Sequence, residues 1–208
     1  MNTTTVCREI VAAGALIASY PLDWIARQGE PLLGEGHSEP VILTHGLGGS
    51  RANFLALATY LRMAGFDKFV YFEYPRWQSV SESAAQLGAA VDEIAGGRGV
   101  HLVGHSLGGT IARRYATVNA RPGAVRSLVT LGSPYRYTQS SPRELAIFGD
   151  EDPIVPAPSM LPAGSDAFGR VVILKNTGHL ALIYHPEALR IASTELRANR
   201  ASDDRAAA

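Results

Sequence analysis

A single cysteine, Cys7, in 208 residues excludes an internal disulfide and a cysteine-based metal cluster. Six histidines are scattered without an H-E-x-x-H pair, so nothing in the pattern names a metal or a cofactor. Excess charge is lacking as well. Nineteen basic residues face nineteen acidic ones, which leaves no overall field to gather nucleic acid or an anionic surface. Neutral or apolar small molecules are the partners such a balance favours. Internal repeats, charge runs and low-complexity tracts are also missing. What remains is 46% hydrophobic and 18% charged, long enough for one sizeable core and too short for two comfortable domains.

The pattern along the chain divides it into an N-terminal helix and connecting loop (1–40), a main domain of alternating strands and helices (41–198) and a flexible tail (199–208). Residues 10–20, IVAAGALIASY, are apolar and follow Arg8, but Glu9 interrupts the charged side and no cleavage site follows. The run falls short of the roughly 20 apolar residues a membrane span needs. Leu16, Ile17, Tyr20 and Trp24 sit at helical spacing, which predicts a helix packed on the domain, with peripheral lipid contact as the sharper alternative. The expected location is cytoplasmic or peripherally membrane-associated rather than secreted.

From Val41 onward strand and helix patterns alternate. Strands are predicted at 41–44, 68–73, 100–103, 125–131, 144–148 and 170–174, and helices at 53–63, 80–94, 110–118 and 186–196. Such alternation predicts a mostly parallel sheet with helices on both faces. A polar, alanine-ended tail from Arg197 is expected to fray.

The chain is organised around residues 100–111, VHLVGHSLGGTI, where a strand runs into Gly104-His105-Ser106-Leu107-Gly108 and then a helix. G-x-S-x-G in this setting makes Ser106 a candidate nucleophile on a tight strand-to-helix turn. A serine hydroxyl needs a base within reach and a carboxylate to orient that base. In this arrangement the acid and then the histidine follow the serine in sequence. Among Asp150, Glu151 and Asp152 in FGDEDPIVP, Asp152 is the choice, and His179 after the last strand is the candidate base. The other histidines read as structural: His105 as an elbow packing residue, His45 as a loop residue, His101 as a satisfied core histidine, His37 and His185 as loop or helix-entry residues. Oxyanion donors are expected from the backbone of Leu107 and of Leu47 in the loop His45-Gly46-Leu47-Gly48-Gly49. That loop lacks the G-K-[ST] of a Walker A motif and the G-x-G-x-x-G of a dinucleotide site.

THGLGGSRAN (44–53), GHSLGG (104–109), LVTLGSP (128–134), GDEDPIV (149–155) and GHLALIY (178–184) together resemble an α/β-hydrolase. Within that superfamily the chain is most similar to small, nearly lidless bacterial triacylglycerol lipases and carboxylesterases. The resemblance spans about residues 41–196 and implies Ser106, Asp152 and His179 as triad, with Leu47 and Leu107 as oxyanion donors. Only residues 132–143 separate two strands where larger lipases place a lid, too few for a helical one. Leu47, Leu107, Ile154, Val155, Leu180 and Leu182 are apolar near the expected site and suit an acyl chain, with Ile154, Val155 and Leu180 taken as substrate-binding. Tyr135, Arg136, Tyr137 and Trp77 are candidates for the entrance. The expected activity is hydrolysis of a small lipophilic ester, with a thioesterase, acyltransferase or amidase on the same triad as the alternative and a non-catalytic binding protein third. The oligomeric state has no signature.

Overall fold

The structure, a computed structural model, describes residues 1–28, 39–135, 143–157 and 170–206. The expected loop over 29–40 lies almost wholly outside these residues, as do His37, Arg136 and Tyr137. Six strands form one parallel sheet: β1 (Val41–Thr44), β2 (Phe69–Phe72), β3 (Val100–His105), β4 (Val125–Leu131), β5 (Glu144–Gly149) and β6 (Arg170–Leu174). Their order is β2-β1-β3-β4-β5-β6. Helices are α1 (Thr3–Gln28), α2 (Leu55–Met63), α3 (Val80–Ala95), α4 (Leu107–Arg114) and α5 (Pro186–Ala206).

Strand side chains point to alternate faces, and the apolar residues of β1 follow that period. Val41 and Leu43 join Val103, Val129 and Ile147 in a core closed by Leu57 and Leu61 of α2 and Ala192 and Leu196 of α5. Ile42 joins Leu102 and Leu128 on the opposite face, closed by Leu87 and Val91 of α3 and Ile111 of α4. Helices therefore cover both faces, as the alternation predicts. No helix intervenes between β4 and β5 among the described residues.

Two ends depart from the sequence reading. Helix α5 continues through Arg197 to Ala206, where a frayed tail is expected. Its extension is tied down by Arg200, which bonds the Gly65 carbonyl at 2.8 Å and lies over the Phe66 ring. Helix α1 is longer than the apolar run alone suggests. Asn2 starts it by accepting the Thr5 amide at 2.9 Å, the usual service of an N-cap side chain. The helix lies against two 3-10 turns, Arg51–Phe54 and Ala181–Ile183, above the carboxyl ends of the strands. No helix among the described residues is long and apolar enough to cross a membrane.

Candidate active site

The chain steps from β1 to β2 on one side and then to β3 on the other, so the order of strands reverses between β1 and β3. Ligands of open parallel sheets bind outside the carboxyl ends of the strands at such a reversal. The loop after β1 and the turn after β3 are the two segments that flank it.

Ser106 alone separates β3 from α4, and it takes φ 52° and ψ −123°. A serine held there costs about 1–3 kcal/mol, and persists only where its surroundings determine it. The Ser106 amide donates to the Leu131 carbonyl at 2.8 Å, and the Gly109 and Thr110 amides close on the Ser106 carbonyl. Strand and helix cross so closely that a Cβ on Gly104 would lie 2.4 Å from the Gly109 Cα. The turn delivers the Ser106 side chain into a cavity of about 490 Å³.

His179 lines the same cavity, and its Nδ1 donates to Asp152 Oδ2 at 2.6 Å. A carboxylate can only accept here, so Nδ1 carries a proton and Nε2 is the ring nitrogen not engaged by Asp152. The other oxygen, Asp152 Oδ1, accepts the Ile154 and Val155 amides, each at 2.8 Å, which fixes the plane of the carboxylate. Asp150 and Glu151 turn elsewhere. Asp150 pairs with Lys175 at 3.4 Å, and Glu151 accepts the Asn2 side-chain amide at 2.6 Å. Asp152 and His179 come from the loops after β5 and β6 and meet over the end of β4. Only glycine fits there: Gly132 has φ 53°, and a Cβ on it would lie 3.2 Å from both Asp152 Oδ2 and His179 Nδ1.

Leu47 and Leu107 line the cavity from its other side. Neither backbone amide donates a hydrogen bond among the described residues. The turn that presents Leu47 is closed by the Gly49 amide on the Gly46 carbonyl at 3.0 Å. Ile154, Val155 and Leu180 are cavity residues as well, together with Leu16 of α1. Ile154 stands largely exposed at the rim, whereas Val155 is buried and also packs in a small cluster with Tyr135 and Phe148.

Three entrance or wall residues fall elsewhere. Leu182 is buried in the core on the α2 and α5 face, because the 3-10 turn points it inward. Tyr135 is buried with its ring against the Arg113 guanidinium at 3.9 Å. Trp77 is exposed and does not line the cavity.

His105 packs directly on His179 rather than only within the elbow. Its ring lies 4.7 Å from that of His179, and its Nε2–H donates to the His179 carbonyl at 3.2 Å. Burial and then the neighbouring His179 push its pKa down to about 3, so the ring is neutral. His45 stacks on Tyr74, and His101 contacts Ser127 and Glu39 inside the fold. His185 accepts the Glu187 amide at the start of α5.

Sequence reasoning missed Asn2, Glu9, Leu16 and Asn53. Leu16 and Asn53 line the cavity, while Asn2 and Glu9 bond to the loops that carry Asp152 and His179. The contacts of Asn2 and Glu9 are long-range and no local pattern marks them, whereas Leu16 sits on the helical stripe and Asn53 in the THGLGGSRAN stretch without either pattern assigning it a site role.

The family model described as palmitoyl protein thioesterase matches residues 40–152, more than half of the chain. The chain belongs to the palmitoyl protein thioesterase family. The match runs from β1 through the elbow to Asp152, so this family member's His179 lies beyond the matched span. Similar solved structures include MGS-MChE2, an α/β hydrolase from the metagenome of sediments of the Mar Chica lagoon, Morocco. It is 23% identical, with 81% of this chain and 93% of that one covered and a TM-score of 0.61. A carboxylesterase of the thaumarchaeon Nitrososphaera gargenis is 14% identical over 82% of this chain and 93% of its own, with TM-score 0.67. A membrane phospholipase A described as a bacterial virulence factor is 19% identical over 94% and 97%, with TM-score 0.64. At these identities the likeness is one of fold, and this palmitoyl protein thioesterase family member is an α/β-hydrolase.

Proposed function

We propose that the protein is a serine hydrolase of lipophilic carboxylic esters, with Ser106 as nucleophile, His179 as general base and Asp152 as the residue that orients it. The observation that carries this reading is the 2.6 Å contact of His179 Nδ1 with Asp152 Oδ2 on the cavity into which the strained turn delivers Ser106. Ser106 Oγ attacks the ester carbonyl carbon as its proton passes to His179 Nε2. The resulting oxyanion is held by the Leu47 and Leu107 amides, which have no other partner among the described residues. Collapse expels the alcohol, protonated by His179, and leaves an acyl-serine. Water, activated by the same imidazole, then releases the acid and restores the serine.

Ile154, Val155, Leu180 and Leu16 make an apolar wall suited to an acyl chain. A thioester is the second reading, supported by the family's name, because the same steps expel a thiol. Peripheral contact with lipid belongs to the same reading: Ile10, Val11 and Ile17 of α1 are largely exposed on the helix that lends Leu16 to the cavity.

Labelling with a fluorophosphonate followed by peptide mass spectrometry tests the site. Label on Ser106, and a loss of roughly 10⁴-fold or more in kcat for Ser106→Ala, are expected. An unlabelled Ser106 would refute the reading. A chain-length series of matched esters and thioesters then decides between the two leaving groups.

A further inference from the structure

We infer that Glu9 of α1 is a positioning residue for His179, an inference that rests on the catalytic reading above. The Glu9 carboxylate accepts the Leu180 amide at 3.0 Å and the Ala181 amide at 2.7 Å. These are the first two amides after His179, and they open the 3-10 turn Ala181–Ile183, where such groups lack a partner within the turn. Glu9 supplies it, with one oxygen for each amide, through hydrogen bonds strengthened by its charge. The approach depends on Gly178, since a Cβ there would lie 2.6 Å from the Glu9 Cδ.

The residues beside Glu9 extend the grip. Arg8 donates to the Asn176 carbonyl at 2.8 Å, and Asn2 bonds to the side chains of both Glu151 and Asn176. One face of one helix thereby holds the turn of the acid and the loop of the base. His105 holds the His179 carbonyl from the opposite side. The peptide that follows His179 is then gripped at both its groups, the carbonyl by His105 and the amide by Glu9, while the ring is bonded to Asp152 and packed against the His105 ring. A displacement of about 1 Å in a reacting group is enough to cost on the order of 100-fold in rate. Glu9 never touches substrate; it acts through the peptide it holds.

The test uses the full chain with Glu9→Gln, Glu9→Ala and Gly178→Ala. Four readouts are taken: kcat and KM on a soluble ester, the rate of fluorophosphonate labelling at Ser106, melting temperature, and amide exchange at residues 180 and 181. Glu9→Ala is expected to lower kcat and the labelling rate together by about 10- to 100-fold, with KM within about threefold. Exchange at 180 and 181 should quicken, and Gly178→Ala should behave alike because it displaces the same carboxylate. Glu9→Gln keeps one accepting oxygen and should fall between. A folded Glu9→Ala with kcat within about twofold of the parent, or a loss confined to KM, would overturn the inference. If Glu9→Ala does not fold, the near-isosteric Glu9→Gln decides: unchanged kcat and exchange overturn it, and a lowered kcat with faster exchange supports it. A parent protein unlabelled at Ser106 removes the catalytic reading itself, whereas a labelled parent with equally fast labelling of Glu9→Ala removes this inference alone.

Discussion

Asp152 and His179, 27 positions apart in sequence, meet at 2.6 Å, while Asp150, only two residues before that acid, faces Lys175 instead. The three neighbouring carboxylates therefore have separable duties. Asp152→Asn is expected to lower kcat by roughly 10⁴-fold through the wrong histidine tautomer, with the fold retained. Asp150→Asn and Glu151→Gln should stay within about threefold, the range of ordinary surface changes. Steady-state kinetics of the three variants check this, and equal losses would mean that the acid has been misplaced.

His105 makes the protein acid-sensitive in a defined window. Its folded pKa lies at about 3, below the ordinary 6.5, chiefly because of burial. Above that ordinary value both folded and unfolded forms are neutral, and the stability it confers is fully present. As pH falls, the unfolded chain takes up a proton that the folded chain refuses, so stability is lost progressively down to about 3. By about pH 4.5 the loss from this group should reach about 2–3 kcal/mol. His105→Asn should be less stable than the parent at neutral pH yet lose less on acidification, as urea titrations at the two pH values will show. An unchanged difference between the two pH values would contradict the assignment.

Arg113 and Glu144 form a fully buried pair, with the Arg113 Nη2 at 2.7 Å from the Glu144 Oε1. Arg113 also donates to the Ser133 and Pro134 carbonyls, tying the helix behind the elbow to the loop after β4. Arg113→Met should cost about 3–5 kcal/mol, because it strands a buried carboxylate. Adding Glu144→Leu should restore part of that loss, but not all, since the Ser133 carbonyl still lacks the Arg113 donor and the Pro134 carbonyl keeps only the Thr110 hydroxyl. Denaturant midpoints of the single and double variants give the answer.

Substrate presentation separates the cavity from the outer face of α1. With no helix between β4 and β5 among the described residues, turnover of soluble esters should saturate in the ordinary way, without a jump at the solubility limit. Replacing Ile10, Val11 and Ile17 by serine should weaken sedimentation with neutral phospholipid vesicles. It should leave kcat/KM on a soluble ester within about twofold, since the three side chains are largely exposed and none lines the cavity that holds Ser106. A matching drop in both measurements would show that this face serves the cavity instead.

Most of the sheet can be read from the chain, because strands buried on both faces are short apolar runs bounded by turn residues. Strands 41–44 and 125–131 coincide with the buried β1 and β4, and 170–174 coincides with β6, an edge strand that is apolar though only partly buried. The contact of Asp152 with His179 was legible for a related reason: each residue lies a few positions after a strand, and strand ends in a parallel sheet converge on one edge. What stayed hidden depends on direction and distance. Alternation cannot say that the turn after His179 swings Leu182 into the core. Nor can composition show that Tyr135 folds onto a buried arginine. Glu9 offers a further case, since an acid near an apolar run looks like a solvated charge until the loop it meets, 171 and 172 positions later, is in place.

The strap between α1 and the loops of the acid and base also sets an order in time. Asn2 and Glu9 leave the ribosome early, and their partners lie 149 to 174 positions further on. At common rates of synthesis that interval is about 10–30 s. During it α1 can meet the turn Arg51–Phe54 but not the loops of Asp152 and His179, so the elbow, once made, waits for both residues to be held in register. On the proposed function, a nascent chain bearing a complete G-x-S-x-G turn would therefore be inert, and hydrolytic competence would arrive only with the last strand, helix and strap together.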